Sequence, residues 1–167
     1  LSLLAKEVLP TLINYIIKDD EAVFGKNGGN KILYALTSWN YEANYEIDAP
    51  SYFYKFWSEI EAITYDEFNK ENISFRLPQP YNTVNLVVND PKFILFDIQN
   101  TDTIETAKEV TNIAFQKTVA FFKEFNKDKN NSTKWQHYKN TQITHLARLK
   151  AFSLSDIPIG GYHNIVN

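Results

Sequence analysis

The chain has 167 residues, 17 Lys and Arg against 20 Asp and Glu, and a 44% hydrophobic content. That apolar share beside only 22% charge excludes intrinsic disorder, and the net charge of −3 argues against a surface built for nucleic acid. No apolar run approaches the ~18–20 residues that span a bilayer, and zero cysteines exclude disulfides, thiolate metal sites and thiol nucleophiles.

Leu3, Leu4, Val8, Leu12, Ile13, Ile16 and Ile17 share one stripe at helical spacing, which predicts a first helix over about residues 2–18. Pro10 inside it predicts either a kink or a helix that begins near residue 10. Gly25 to Asn30 is a loop by composition. A shorter helix over 31–39 turns Ile32, Leu33 and Leu36 inward. Asp48-Ala49-Pro50 marks a helix start, with a side-chain acceptor at the cap and proline in the first turn. The helix over 50–63 carries a wide stripe of Tyr52, Phe53, Phe56, Trp57, Ile60 and Ile63. Thr64 to Glu67 has capping-box spacing and predicts another short helix.

From Ile73 to Asn100 periodicity does not separate strand from buried helix. Asn82 to Val88 and Lys92 to Phe96 are both short, apolar and partly β-branched. Asp102-Thr-Ile-Glu105 again has capping-box spacing and opens a helix over 103–126. Its buried face is Ile104, Ala107, Val110, Ala114, Thr118, Phe121, Phe122 and Phe125. Residues 135–167 are irregular, with turns at Pro158 and Gly160-Gly161. The whole reads as mainly α with little or no sheet, a single helical unit over 1–167. Leu1 falls inside an apolar periodic run with no signal-peptide character ahead of it, so the chain is expected to be cut from a larger protein.

No catalytic constellation is complete. His137, His145 and His163 are spaced by eight and then eighteen residues, which matches no compact metal-binding helix motif. Ser153 and Ser155 lie near His145 and Asp156 without a nucleophile-elbow pattern. Gly160-Gly161 lacks the further glycines and following helix of a phosphate loop. Asp19-Asp20-Glu21 and Asp66-Glu67 sit at helix ends, where carboxylates cap rather than act as acid and base. The aromatic stripe around Phe53 and Trp57 suits a core, and otherwise an apolar partner-binding face. No catalytic, cofactor-binding or metal-ligating residue is assigned.

The last third nevertheless has a recognisable pattern. Trp135 is followed by Thr141-x-Ile143-x-His145-Leu146, then Phe152-Ser153, Gly160-Gly161 and Val166-Asn167. Further upstream come Leu33 to Trp39, the aromatic helix 51–63, Leu95-Phe96-Asp97 and then Thr101, Glu105 and Thr106. This order resembles the C-terminal part of the catalytic chain in the penicillin acylase (penicillin amidase) family. Trp135-Gln136 replaces the family's usual Trp-Gly, and Leu95 replaces an aromatic.

The resemblance implies a helical segment of a larger α+β enzyme of the αββα N-terminal-nucleophile hydrolase type. In that family a self-cleaving precursor exposes a Ser whose own α-amine acts as base in amide hydrolysis. The pKa of such an amine, near ~8, leaves it substantially neutral at physiological pH. Leu1 occupies the start of this chain and Ser2 has no free α-amine, so the nucleophile is expected outside 1–167. The implied partners are the remainder of the same precursor and, for the parent enzyme, a small-molecule N-acyl amide. No nucleic acid and no membrane span are expected. No cofactor belongs to this segment; a structural calcium is implied only for the parent, which is expected to be exported or periplasmic. Apolar faces left bare on the chain are a further expectation.

Overall fold

A computed structural model describes residues 1–16, 28–69, 77–155 and 157–161. The described chain is mainly α: α1 (Leu3–Tyr15), α2 (Gly29–Thr37), α3 (Ala49–Thr64), α4 (Pro80–Asn89), α5 (Ala107–Phe125) and α6 (Trp135–Lys139). Single 3-10 turns cover Asp66–Asn69, Ile94–Phe96 and Lys150–Phe152. Among the described residues one antiparallel bridge, Ile143 with Leu154, is the sole β pairing. Of the loop expected over Gly25 to Asn30, residues 25–27 lie outside the described residues, and Gly29 and Asn30 instead open α2 behind its cap Gly28.

α1 runs through Pro10 without restarting there. Pro10 deprives the Lys6 carbonyl of its helical donor, but both residues are exposed, so water can serve that oxygen. Ser2 begins the helix, its hydroxyl accepting the Ala5 N–H at 3.2 Å. Val8, Leu9 and Leu12 are fully buried, whereas Leu3, expected on the stripe, is 62% exposed.

Residues 73–76 of the ambiguous middle lie outside the described residues; the rest holds the helix α4 and a 3-10 turn. Pro80 occupies the first turn of α4, and Thr83, Val84 and Val87 turn inward at helical rather than alternating spacing. Lys92 to Phe96 is no strand; its last three residues, Ile94–Phe96, form a 3-10 turn that buries Phe96. The short helix expected after Thr64 is likewise only the 3-10 turn Asp66–Asn69.

Two caps differ from their sequence patterns. Asp48 adopts helical dihedrals (φ −88°, ψ −27°), and its side chain does not cap α3. The carboxylate instead accepts the Thr133 hydroxyl at 2.9 Å and faces Lys31 Nζ at 3.8 Å, joining the start of α3 to the segment before α6. At α5 the cap is Thr106, with Glu109 completing the box by accepting the Thr106 N–H at 3.0 Å. Asp102-Thr-Ile-Glu105 forms no box because Glu105 turns back on its own loop, and Ile104 is 83% exposed rather than buried.

The core is centred on α3 against α5. Tyr52 meets Phe122 edge-on at 4.8 Å and Phe56 meets Phe115 at 5.4 Å. Thr111 and Thr118, both fully buried, satisfy their hydroxyls on the carbonyls of Ala107 and Ala114. α1 closes one side: Asn112 Nδ2 donates to the Tyr15 carbonyl at 2.9 Å, and the Tyr15 hydroxyl donates to the Val87 carbonyl at 3.3 Å. The aromatic stripe of α3 is therefore interior, with Phe53 and Trp57 buried, and offers no partner-binding face.

Candidate functional site: the loop after α6

The residues of the C-terminal pattern fold into one unit. Trp135, fully buried, starts α6, and its backbone N–H donates to the Ile47 carbonyl at 3.0 Å. Gln136 N–H does the same to Tyr45 at 3.0 Å, so α6 is laid along the segment before α3. The Trp135 indole N–H donates to the Gly161 carbonyl at 2.9 Å. Gly161 N–H in turn donates to the Ala43 carbonyl at 3.0 Å. Lys139 Nζ reaches the carbonyls of Gly160 and Gly161 at 3.3 and 3.2 Å.

The two glycines serve different needs. A Cβ on Gly160 would lie 2.6 Å from the Ala43 carbonyl oxygen, inside any permitted contact, while Gly161 holds φ +80°. Gly160-Gly161 is thus a strap tied to Ala43, and no phosphate loop.

Between α6 and the strap the chain doubles back. Ile143 and Leu154 exchange hydrogen bonds of 2.9 and 3.0 Å, and Ile157 N–H donates to the Thr141 carbonyl at 3.2 Å. Inside this loop Ser153 Oγ accepts the His145 backbone N–H at 3.1 Å and donates to the Leu149 carbonyl at 3.0 Å. His145 Nδ1 accepts the Ala147 N–H at 3.3 Å, and the ring lies 5.5 Å from that of Phe152. The structure brings Ser153 and His145 together, but as loop-closing groups: the hydroxyl meets backbone and not imidazole.

Ser2 is 4% exposed and is engaged as the cap of α1, its own N–H donating to the Tyr41 carbonyl. His137 is exposed on α6, whereas Asp19, Asp20, Glu21, Asp156, His163, Val166 and Asn167 lie outside the described residues. Asp66 Oδ2 accepts the Gln99 N–H at 3.1 Å, a structural use. Among the described residues no group of three or more His, Asp or Glu converges as a metal site would require, and no calcium site is assigned.

Sequence reasoning missed a carboxylate knot. Glu105 accepts the Ile98 N–H at 3.0 Å and the hydroxyls of Thr101 and Thr103 at 3.0 and 2.7 Å. The Thr103 hydroxyl, the Ile98 amide and the Thr101 hydroxyl hold its pKa below the ordinary glutamate range. Thr at two and four residues before an acid was the available signal. Beside it an open groove of about 470 Å³ is lined by Thr103, Ile104, Glu105, Glu109, Asn112 and Ile113. Glu109 is also shifted down, chiefly by the Thr106 hydroxyl, so both acids are held as carboxylates and neither can act as a neutral acid. Burial raises the Glu61 pKa, with the Trp57 indole opposing the shift.

The family model described as Penicillin amidase matches residues 1–167. The chain belongs to the penicillin amidase family. No match was found among curated proteins or among solved structures. Membership relates the chain to amide hydrolases. No helix of the described residues is long and apolar enough to cross a membrane.

Proposed function

We propose that this chain is a scaffold segment of an N-acyl amide hydrolase whose serine nucleophile lies outside residues 1–167. The observation that supports it most is the commitment of Ser2 and Ser153 to backbone: one caps α1 and the other closes the loop after α6. A serine nucleophile needs a base within hydrogen-bond reach, whereas the bonds these two hydroxyls make are to backbone groups. Within the parent, produced by self-cleavage of an exported precursor, the segment packs against the nucleophile-bearing sheets and supplies some outer wall of the acyl-binding cleft. The substrate is an N-acyl amide, and any calcium is held by other parts of the parent.

The test is turnover of a chromogenic phenylacetyl or fatty-acyl anilide. The complete processed polypeptide hydrolyses it and purified 1–167 does not. Turnover by 1–167 that is abolished by Ser153→Ala would overturn the assignment.

A further inference from the structure

The loop after α6 carries Ile143, Leu146, Leu149, Phe152 and Leu154 at exposures of 57%, 102%, 49%, 68% and 61%. Their exposure is not that of a frayed coil, because the reciprocal Ile143–Leu154 bonds and the Ser153 hydroxyl hold the loop closed. The charge on the same stretch is of one sign. Residues 129–155 contain Lys129, Lys134, Lys139, Arg148 and Lys150 and no Asp or Glu, in a chain whose net charge is −3. Arg148 and Lys150 stand between the apolar residues, and among the described residues no salt bridge joins them to a carboxylate.

We propose that this loop is a docking face that seats on the remainder of the parent enzyme, and that the seat is an apolar surface rimmed by carboxylates. The inference rests on the reading of the chain as part of a larger hydrolase. Five bare apolar side chains held on one closed loop mark an interaction site. Cations interleaved with them fix the partner's charge, since covering Arg148 and Lys150 with a purely apolar surface would bury unpaired charge. A second copy of this chain fits less well. Two carboxylates beside exposed Ile104, Glu105 and Glu109, already accept bonds from their own loop. Two cations at the loop tip are also few for stable attachment to an anionic bilayer.

Leu146→Cys supplies a thiol label, this chain having no cysteine of its own. Maleimide labelling, located by peptide mapping, is compared in 1–167 and in the complete processed enzyme. The expected result is rapid labelling in 1–167 and at least tenfold slower labelling in the complete enzyme. The protection should weaken as salt is raised, and should be lost when Arg148→Glu and Lys150→Glu are added. Equal rates in both proteins overturn the proposal, and protection indifferent to salt and to charge reversal overturns the acidic seat. Protection of 1–167 that grows with its own concentration would assign the face to a second copy. Protection only by phosphatidylserine vesicles would assign it to lipid; either result contradicts the proposal. An enzyme that hydrolyses the anilide while the thiol stays reactive refutes the docking face alone. A protected thiol on a protein without amidase activity refutes the functional reading alone.

Discussion

The indole N–H of Trp135 donates to the carbonyl of Gly161 across 26 residues of chain, at 2.9 Å. This bond closes a circuit in which the segment before α3 holds α6, α6 holds the strap, and the strap returns to Ala43. The family pattern of Trp, His, Ser and paired Gly is therefore read as a folding unit, whose parts are each placed by a backbone partner.

Trp135→Phe keeps an aromatic ring in the core and removes the donor, leaving the Gly161 carbonyl without its indole partner. A loss of about 1–2 kcal/mol in unfolding free energy is expected, measured by urea denaturation. Trp135→Ala, which also empties a fully buried site, should cost about 3–5 kcal/mol.

Gly160→Ala drives a methyl against the Ala43 carbonyl, a backbone atom that cannot rotate away. The strap should lift, costing about 1–3 kcal/mol. Hydrogen exchange at the Gly161 amide and the Trp135 indole should quicken together while amides of α3 and α5 keep their protection. Unchanged exchange at both sites would show that the strap tolerates the methyl.

Glu105 links stability to acid. Its native pKa lies below the unfolded value, so its contribution is complete above the unfolded glutamate pKa, near ~4.3, and is lost as pH falls through the lower native value. Glu105→Gln should lower stability at neutral pH and flatten the decline of the melting temperature as pH falls from the unfolded glutamate pKa toward the lower native value. An acid limb as steep as that of the unaltered chain would contradict the knot.

Tyr138 sets the opposite limb. Burial first, then the nearby Tyr54 and Glu59, push its phenol up to about 12. The unfolded phenol ionises near ~10, so stability should fall from there as pH rises toward the native value, and Tyr138→Phe should remove that part of the fall. Ultraviolet titration of the phenolates, with and without the substitution, identifies the late-ionising ring.

Long-range pattern was legible in the sequence and local capping was not. The apolar stripes of α3 and α5 survive almost residue for residue, because a helix face buried along its length has one periodic solution. Asp48 and Asp102 had cap-like spacing, yet one carboxylate is drawn to Thr133 and the other pattern gives way to Thr106 and Glu109. Each choice depends on a neighbour that spacing does not name. Asn82 to Val88 stayed ambiguous because a ten-residue helix and a strand bury similar numbers of β-branched residues. Ile104 reads as core only on a helix that starts at residue 103, four residues before α5 begins. The loop after α6 was visible as a family pattern, but its structural use was hidden, since hydrogen bonds to backbone leave no signature in side-chain spacing.

The most direct test of the scaffold assignment is to locate the reactive serine. The complete processed enzyme, inactivated with a sulfonyl fluoride and mapped by peptide mass, should carry its adduct on a serine outside residues 1–167. An adduct on Ser2 or Ser153, appearing in step with loss of amidase activity, would contradict it.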